Sequence, residues 1–460
     1  MSLIKSISGI RGTIGGGSSD NLTPLDTVLF TAAYACWLKK NTPSNEYKVA
    51  VGRDARISGS MIQGLVNQTL VGYGIDVLDL GLSTTPTVEL AVTHHRAQGG
   101  IIITASHNPK EWNALKLLNH KGEFLSAESG RAILDIAKKQ DFDFATIDNL
   151  GKITTIKGAI EDHVEKVLSL PIVDKDGIEK TKFKVVVDAV NSTGGIAVPF
   201  LLEAMGVNVI PLYCEPTGYF PHNPEPLREH LTELSSRVVE EKANFGIVVD
   251  PDVDRLAFVD ENGTVFGEEY TLVACADYVL SKTPGHTVSN LSSTRALSDI
   301  TQKYDLDYHA SAVGEVNVVE KMKEVNAVIG GEGNGGVIYP ELHYGRDALV
   351  GVALFMSLLV NRKTKVSSLR GYYPDYAMSK AKISLAPEMD VDAILLAIEN
   401  KYSDHSPISI DGVKIEFESS WVHLRKSNTE PIIRVYTEAK NESDADQLAK
   451  RFLDEIQTII

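Results

Sequence analysis

The sequence predicts an α/β fold followed by an α+β segment, and three observations carry that reading. Short apolar runs at 49–51, 101–103, 185–187 and 247–249 alternate with helical patterns. Each run gives way to Gly, Asp or Thr, where a loop begins, which is the pattern of buried strands in an α/β sheet. A weak internal echo comes second. Residues 65–80 read as a helix end, Gly72-Tyr73-Gly74 and then a strand at 75–78, and residues 201–212 repeat this with Gly206 before a strand at 207–210. In both, a glycine closes a helix that feeds a strand. Residues 299–308 form a third, poorer copy, so three related units are expected. Third, the pattern changes after Tyr372-Tyr373-Pro374. A strand at 381–385, a helix at 391–402, a hairpin at 408–417 turning at Asp411-Gly412, a strand at 432–436 and a last helix from Ser443 predict an antiparallel α+β segment.

The bulk numbers bound the function. A chain of 460 residues suggests three or four domains. Its 43% apolar and 23% charged content is that of an ordinary folded protein. A net charge of −16 argues against a general nucleic-acid or anionic-membrane binder, while a local basic pocket stays compatible with phosphate. Cys36, Cys214 and Cys275 lie far apart, with neither metal spacing nor a disulfide framework, so a reducing cytoplasm is expected. Residues 1–13 carry no secretory apolar region. The most apolar run, 348–360, is shorter than the ~20 residues that span a bilayer and reads as a buried helix.

Five short segments carry chemistry. Thr104-Ala105-Ser106-His107-Asn108-Pro109 offers a hydroxyl in a polar turn after an apolar run, with Lys116 further on as an acid, base or phosphate clamp. The hexapeptide also suits an ordinary strand-to-helix turn. Asp250, Asp252 and Asp254 place carboxylates at every other position in a turn after the apolar run 245–249, as a hard divalent cation such as Mg²⁺ requires. Arg255 follows as an anion partner, although a solvated acidic turn reads the same way. Residues 330–336 are glycine-rich around Glu332 and Asn334, which can grip hydroxyls where the backbone approaches a ligand. The segment lacks the surroundings of a dinucleotide fingerprint. Arg425, Lys426, Ser427, Asn428 and Thr429, with Arg434, can cradle a phosphate dianion or form a polar hairpin with surface cations. Arg11 lies between Gly9 and Gly12, and residues 52–56 contain Arg53 beside Asp54, which reads as a structural ion pair.

Together, and in this order along the whole chain, these segments resemble the α-D-phosphohexomutase family. The resemblance implies three similar α/β domains with mixed sheets and a C-terminal α+β domain around a central cleft, at 1–155, 156–260, 261–370 and 371–460. It implies that Ser106 is the phosphorylated serine. It makes Asp250, Asp252 and Asp254 the Mg²⁺ ligands, with phosphorylated Ser106 as the remaining protein ligand. Glu332 and Asn334 fall in the sugar-recognition loop. Arg425, Ser427, Asn428, Thr429 and Arg434 fall in the phosphate-binding loop. Arg11, His107, Lys116 and Arg255 match residues that assist phosphoryl and proton transfer, and residues 215–224 match a segment of the second domain.

The implied partner is a small hexose phosphate, with a sugar 1,6-bisphosphate as activator and intermediate. The implied activity moves a phosphoryl group between O6 and O1, with glucosamine phosphate as the leading substrate and mannose or glucose phosphate as the alternative. A metal-dependent sugar-phosphate phosphatase and a non-enzymatic sugar-phosphate-binding protein are the readings from other classes. One departure stands out. Many members have Glu-x-Ser-Gly-His in the sugar loop, and here those serine and histidine positions are Asn334 and Gly336. His343 is the nearest substitute base in the sequence.

Overall fold

The computed structural model describes residues 3–6, 9–17, 21–386, 389–426 and 432–459. The first sheet contains β1 (Ile4–Ser6), β2 (Gly9–Thr13), β3 (Lys48–Arg53), β4 (Asp76–Leu82), β5 (Gly99–Ile103), β6 (Trp112–Leu118) and β7 (Ile153–Thr155), in the order β1-β2-β6-β5-β3-β4-β7. The second has β8 (Lys184–Asp188), β9 (Asn208–Leu212), β10 (Phe245–Val249) and β11 (Leu256–Asp260), in the order β11-β10-β8-β9. The third has β12 (Thr287–Asn290), β13 (Tyr308–Ser311), β14 (Ile329–Glu332) and β15 (Gly336–Ile338), in the order β13-β12-β14-β15. The fourth, antiparallel throughout, has β16 (Ala377–Ser384), β17 (Val413–Glu416), β18 (Trp421–Lys426) and β19 (Ile432–Ala439), in the order β16-β19-β18-β17.

One unit recurs in the first three sheets. A strand, a helix and a parallel strand are followed by a second helix and a third strand, which pairs beside the first. A short connection then returns an antiparallel fourth strand. The copies are β3-β4-β5-β6, β8-β9-β10-β11 and β12-β13-β14-β15. The echo seen in sequence is the first helix and second strand of each copy. Gly74 and Gly206 hold the left-handed conformation there, at φ +70° and +73°. In the third copy Asp305 takes φ +57°, so the same geometry is present without its glycine marker.

The first strand of each recurring hairpin, β5, β10 and β14, is buried from end to end, as strands covered on both faces are. The connections of the three hairpins are 104–111, 250–255 and 333–335. They leave the C-terminal ends of the third strands, where open α/β sheets collect ligands. The Ser106 loop therefore leads into another strand, not into the helix that a polar turn alone suggested.

The second and third units share one apolar core around the helix Ala348–Arg362, in which Phe355 stacks on Phe258 with ring centroids 3.7 Å apart. That helix is buried from Ala348 through Leu359, as an all-round apolar helix must be. The first and fourth sheets have separate cores. The expected hairpin at 408–417 is reduced to a single bridge between Ile408 and Lys414. Its turn exists, with Gly412 at φ +72°, but β17 spends its pairing on β18. Among the described residues no helix is long and apolar enough to cross a membrane.

Candidate active site

Ser106 sits just beyond β5 in a strained, tightly held loop. Its backbone is left-handed at φ +50°, an unfavourable conformation that only surrounding structure can enforce. Its N–H donates to Thr104 Oγ1 at 2.9 Å, and its carbonyl accepts from Arg56 Nη2 at 2.5 Å. Arg56 is fully buried and also donates to the carbonyls of Asn108, Pro109 and Trp112. The carboxylate of Asp54 accepts from Arg56 Nε at 3.0 Å and from Thr104 Oγ1 at 2.6 Å. The ion pair is thus Asp54 with Arg56, not with Arg53, whose Nε donates to Gln63. Segment 215–224 closes over this scaffold. Phe220 lies 5.1 Å from the Arg56 guanidinium, and Gly218 leaves room for the Ala55 carbonyl, which a Cβ would meet at 2.1 Å.

The hydroxyl of Ser106 donates to Asp250 Oδ2 at 2.6 Å, joining two segments 144 residues apart. Asp250, Asp252 and Asp254 offer ligand oxygens that lie within 4.8 Å of one another. Val253 orders this turn. It is a β-branched residue at φ +65°, held there because its side chain is fully buried in the apolar core. Asp250 Oδ1 accepts the N–H groups of Asp254 and Arg255, each at 3.1 Å. Asp252 Oδ2 accepts from Lys116 Nζ at 2.7 Å and from Thr85 Oγ1 at 2.6 Å. Thr85 opens the helix Thr85–His94, whose N-terminal end favours negative charge.

Oδ1 of Asp252 and Oδ1 of Asp254 are buried without any hydrogen-bond partner. Burial, then repulsion from Asp254 and Asp252, pushes the Asp250 carboxyl well above the usual carboxylate range. Two unpaired oxygens among three crowded carboxylates suit a hard divalent cation, which would let all three ionise together.

Cations ring the turn. Arg11 Nη1 donates to Asn108 Oδ1 at 3.0 Å, and Arg255 Nη1 pairs with Glu225 Oε1 at 2.9 Å. Burial, and then Arg255, lower the pKa of Arg11, so two guanidinium groups share this space. An anion between them would relieve that repulsion. Burial lowers the pKa of Lys116, but Asp252 and Asp254 outweigh this and raise it, so the side chain is an ammonium. His107 Nδ1 is 3.4 Å from Ser106 Oγ, and burial followed by Arg255 holds its pKa well below the ordinary value, leaving a neutral imidazole.

Glu332 ends β14 and Asn334 lies in the third hairpin connection. Glu332 Oε1 accepts from Asn290 at 2.8 Å and from the Gly314 N–H at 3.2 Å. Gly335 accepts the N–H of Leu256 at 3.1 Å, which fastens this loop beside the Asp turn. Arg346, which the sequence reading did not single out, connects the two loops directly. Its Nη2 is 2.7 Å from Asp254 Oδ2 and its Nη1 is 2.8 Å from Glu332 Oε2. A lone arginine in a connection carries no local signal; only its partners in space mark it.

His343 is committed elsewhere. Its Nδ1 is 3.2 Å from Glu89 Oε2 and its Nε2 is 3.2 Å from Asp347 Oδ2. Burial lowers its pKa, but the two carboxylates outweigh burial and push it up to about 10, so it is a poor base. Burial pushes Glu89 up to about 8 against the opposing pull of His343. Both folded-state values lie above the ordinary 6.5 and 4.5. The stability these protons confer is complete below the ordinary values and is lost as pH rises through the folded ones. Denaturant midpoints should therefore fall with rising pH, most steeply between 6.5 and about 8, where both groups contribute, and level off near 10. His343→Gln should flatten this slope.

Arg425 and Arg434 face one another across β18 and β19 as direct register partners. Like charges so placed repel, and a bound anion would relieve them. Arg425 Nε pairs with Asp411 Oδ2 at 2.7 Å, and Arg434 donates to the Tyr436 hydroxyl at 3.1 Å. Their sheet docks on the third unit through Ser292 with His423 at 2.9 Å and the Val313 N–H with Asp411 Oδ2 at 2.9 Å. Ser427, Asn428 and Thr429 lie outside the described residues.

Three copies of one α/β unit with converging hairpin connections, and a fourth sheet docked on the third, define a multidomain α/β protein with one shared carboxylate- and cation-lined site. Family models agree along the chain. Domains I, II and III of phosphoglucomutase/phosphomannomutase match residues 3–144, 161–263 and 267–376, and its C-terminal domain matches 362–455. A phosphoglucomutase/phosphomannomutase of Thermococcus kodakarensis is 34% identical over 94% of this chain and 95% of its own. A probable phosphoglucosamine mutase of Methanopyrus kandleri is 32% identical over 98% of this chain and 97% of its own. The crystal structure of a phosphoglucomutase/phosphomannomutase family protein from Burkholderia thailandensis shares the fold, with a TM-score of 0.85, 23% identity, and 99% and 98% of the two chains covered. The chain belongs to the phosphoglucomutase/phosphomannomutase family, the α-D-phosphohexomutases.

Proposed function

We propose that this protein interconverts the 6- and 1-phosphates of an aldohexose through a phosphoserine at Ser106, with glucosamine phosphate as the preferred substrate. The observation that carries the mechanism is the 2.6 Å contact of Ser106 Oγ with Asp250 Oδ2, inside the Asp turn and the ring formed by Arg11, Lys116 and Arg255. Phosphorylated Ser106 gives its phosphoryl group to the free hydroxyl of a bound hexose phosphate, producing a 1,6-bisphosphate. The bisphosphate turns over in the cleft and its other phosphate returns to Ser106. Asp250, Asp252 and Asp254 would hold Mg²⁺, which supplies charge neutralisation to the transferring group.

The chain's own residues do the rest. Arg255 and Arg11 stabilise the moving phosphoryl oxygens. Lys116 donates a proton toward the oxygen that departs. Arg425 and Arg434 hold the phosphate that does not react, with Ser427, Asn428 and Thr429 as the proposed remainder of that cradle. Glu332 and Asn334 read the sugar, and a carboxylate at Glu332 suits the ammonium of glucosamine. The name of the Methanopyrus relative supports that preference. The name of the Thermococcus relative supports the second reading, a phosphomannomutase/phosphoglucomutase.

The test is a coupled assay with Mg²⁺ and a catalytic amount of sugar 1,6-bisphosphate. It compares kcat/KM for the 1-phosphates of glucosamine, mannose and glucose while following released phosphate. A clear preference for glucosamine 1-phosphate is expected. Preference for mannose or glucose would keep the mechanism and change the substrate. Phosphate release without isomerisation would overturn the mutase reading. Arg434→Ala should raise KM roughly ten- to a hundredfold, the worth of one charge-assisted hydrogen bond, with kcat less affected. An unchanged KM would remove Arg434 from the phosphate cradle.

A further inference from the structure

Arg346 is a buried guanidinium with three carboxylate partners on three elements. Nη2 reaches Asp254 Oδ2 at 2.7 Å, Nη1 reaches Glu332 Oε2 at 2.8 Å, and Nε reaches Glu315 Oε2 at 2.9 Å. Glu315 opens the helix Glu315–Val325, so the fork is anchored to a rigid element on its third side. The consequence at Asp254 is specific. Arg346 is the shorter of two cationic contacts on Oδ2, with Lys116 Nζ at 3.4 Å, and Oδ1 is the oxygen left buried without a hydrogen-bond partner. Two cations thus hold Oδ2, and Oδ1 is the Asp254 oxygen left for a further cation. At Glu332 it fixes Oε2, while Asn290 and the Gly314 N–H fix Oε1. The carboxylate in the sugar loop and the carboxylate in the cation turn are held by one rigid planar group.

Space around Arg346 is reserved for it. A Cβ at Gly336 would fall 2.3 Å from Arg346 Cδ and 3.0 Å from Cγ. Gly336 opens β15 without a left-handed φ, so its lack of a side chain answers to Arg346 and not to backbone conformation. A side chain at 336 and Arg346 in this position exclude each other.

We propose that Arg346 is a positioning residue that couples cation binding at the Asp turn to sugar recognition at Glu332 and Asn334. Movement of Asp254 is transmitted through the guanidinium to Glu332, and the reverse holds by linkage. This rests on the reading of the Asp turn and of the Glu332 loop given above.

The test uses the full chain and Mn²⁺ as the cation probe. Mn²⁺ affinity is measured by electron paramagnetic resonance, and KM and kcat are measured for the best hexose phosphate. Arg346→Lys keeps the charge and loses the fork. It should weaken Mn²⁺ binding and raise KM together, each by roughly tenfold, the scale of losing a group that orients a metal ligand. Gly336→Ala should produce the same paired change by displacing Arg346 without altering it. Glu315→Gln, which touches neither loop, should move both constants in the same direction by less. A merely structural role would reduce thermal stability or the active fraction and leave the Mn²⁺ affinity and KM of folded protein unchanged. That result, or a change in only one constant in both Arg346→Lys and Gly336→Ala, overturns the coupling. Failure of the wild type to bind Mn²⁺ or to turn over any hexose phosphate would instead bring down the functional reading, and the coupling with it.

Discussion

Replacing Ser106 with alanine is expected to abolish the interconversion while leaving hexose phosphate binding nearly intact. The substitution removes one oxygen. That oxygen donates to Asp250 Oδ2 and is the proposed carrier of the phosphoryl group, so the loss falls on chemistry. The contacts proposed to bind substrate, at Glu332, Asn334, Arg425 and Arg434, are made by other loops and remain. Without the carrier no two-step route exists, and kcat should fall by roughly 10⁴-fold or more, as when a covalent nucleophile is deleted elsewhere. Folding is not at issue, because Arg56 still holds the loop's carbonyls and alanine keeps the same Cβ at φ +50°. The measurement is single-turnover kinetics with isotopically labelled 1,6-bisphosphate, with label transfer to protein followed in parallel. Substantial turnover or label incorporation in Ser106→Ala would sink the phosphoserine route.

Arg56→Met should be the most destabilising single change in the first unit. Asp54 and Arg56 are both fully buried, and burial holds the Asp54 carboxyl above its ordinary value even beside the guanidinium. Methionine fills much of the volume but strands a buried carboxylate and four loop carbonyls. Breaking one partner out of such a pair costs about 3–5 kcal/mol. The loop would also lose the bonds that aim Ser106 at Asp250, and a misplacement of about 1 Å is enough to lower kcat some 10²-fold. Because four sheets with separate and shared cores need not unfold as one, the readout is hydrogen exchange of β3, β5 and β6 beside overall denaturation. The double variant Asp54→Asn with Arg56→Met should be more stable than Arg56→Met alone, since it removes the stranded charge. If it is less stable, the carboxylate is not what the arginine neutralises.

The parts of this site that the sequence makes legible are those whose geometry is local. Three carboxylates at every other residue after an apolar run announce a cation turn, because two-residue spacing in a turn keeps them close along the chain. A glycine at the end of a helix marks a left-handed residue, and the first two copies of the unit show it. The third copy lacks that marker, because Asp305 adopts the same φ without glycine. The Ser106 loop is legible as a polar turn after a strand, and its exit is not. A polar turn after a buried strand looks the same whether a helix or a strand follows, and pairing of β5 with β6 decides that.

The sequence by itself determined the alternation of buried strands and helices, the net negative charge that argues against a general nucleic-acid binder, and the residue types of each loop. These depend on near neighbours and on side-chain chemistry. Only the tertiary structure decided that Asp54 pairs with Arg56, that His343 is bound up between two carboxylates, and that Arg346 ties the cation turn to the sugar loop. Arg346 meets partners 92, 31 and 14 residues away, and Ser106 meets Asp250 across 144. Burial makes such long-range pairings obligatory, since a charge taken out of water must find its counter-charge wherever the fold brings one.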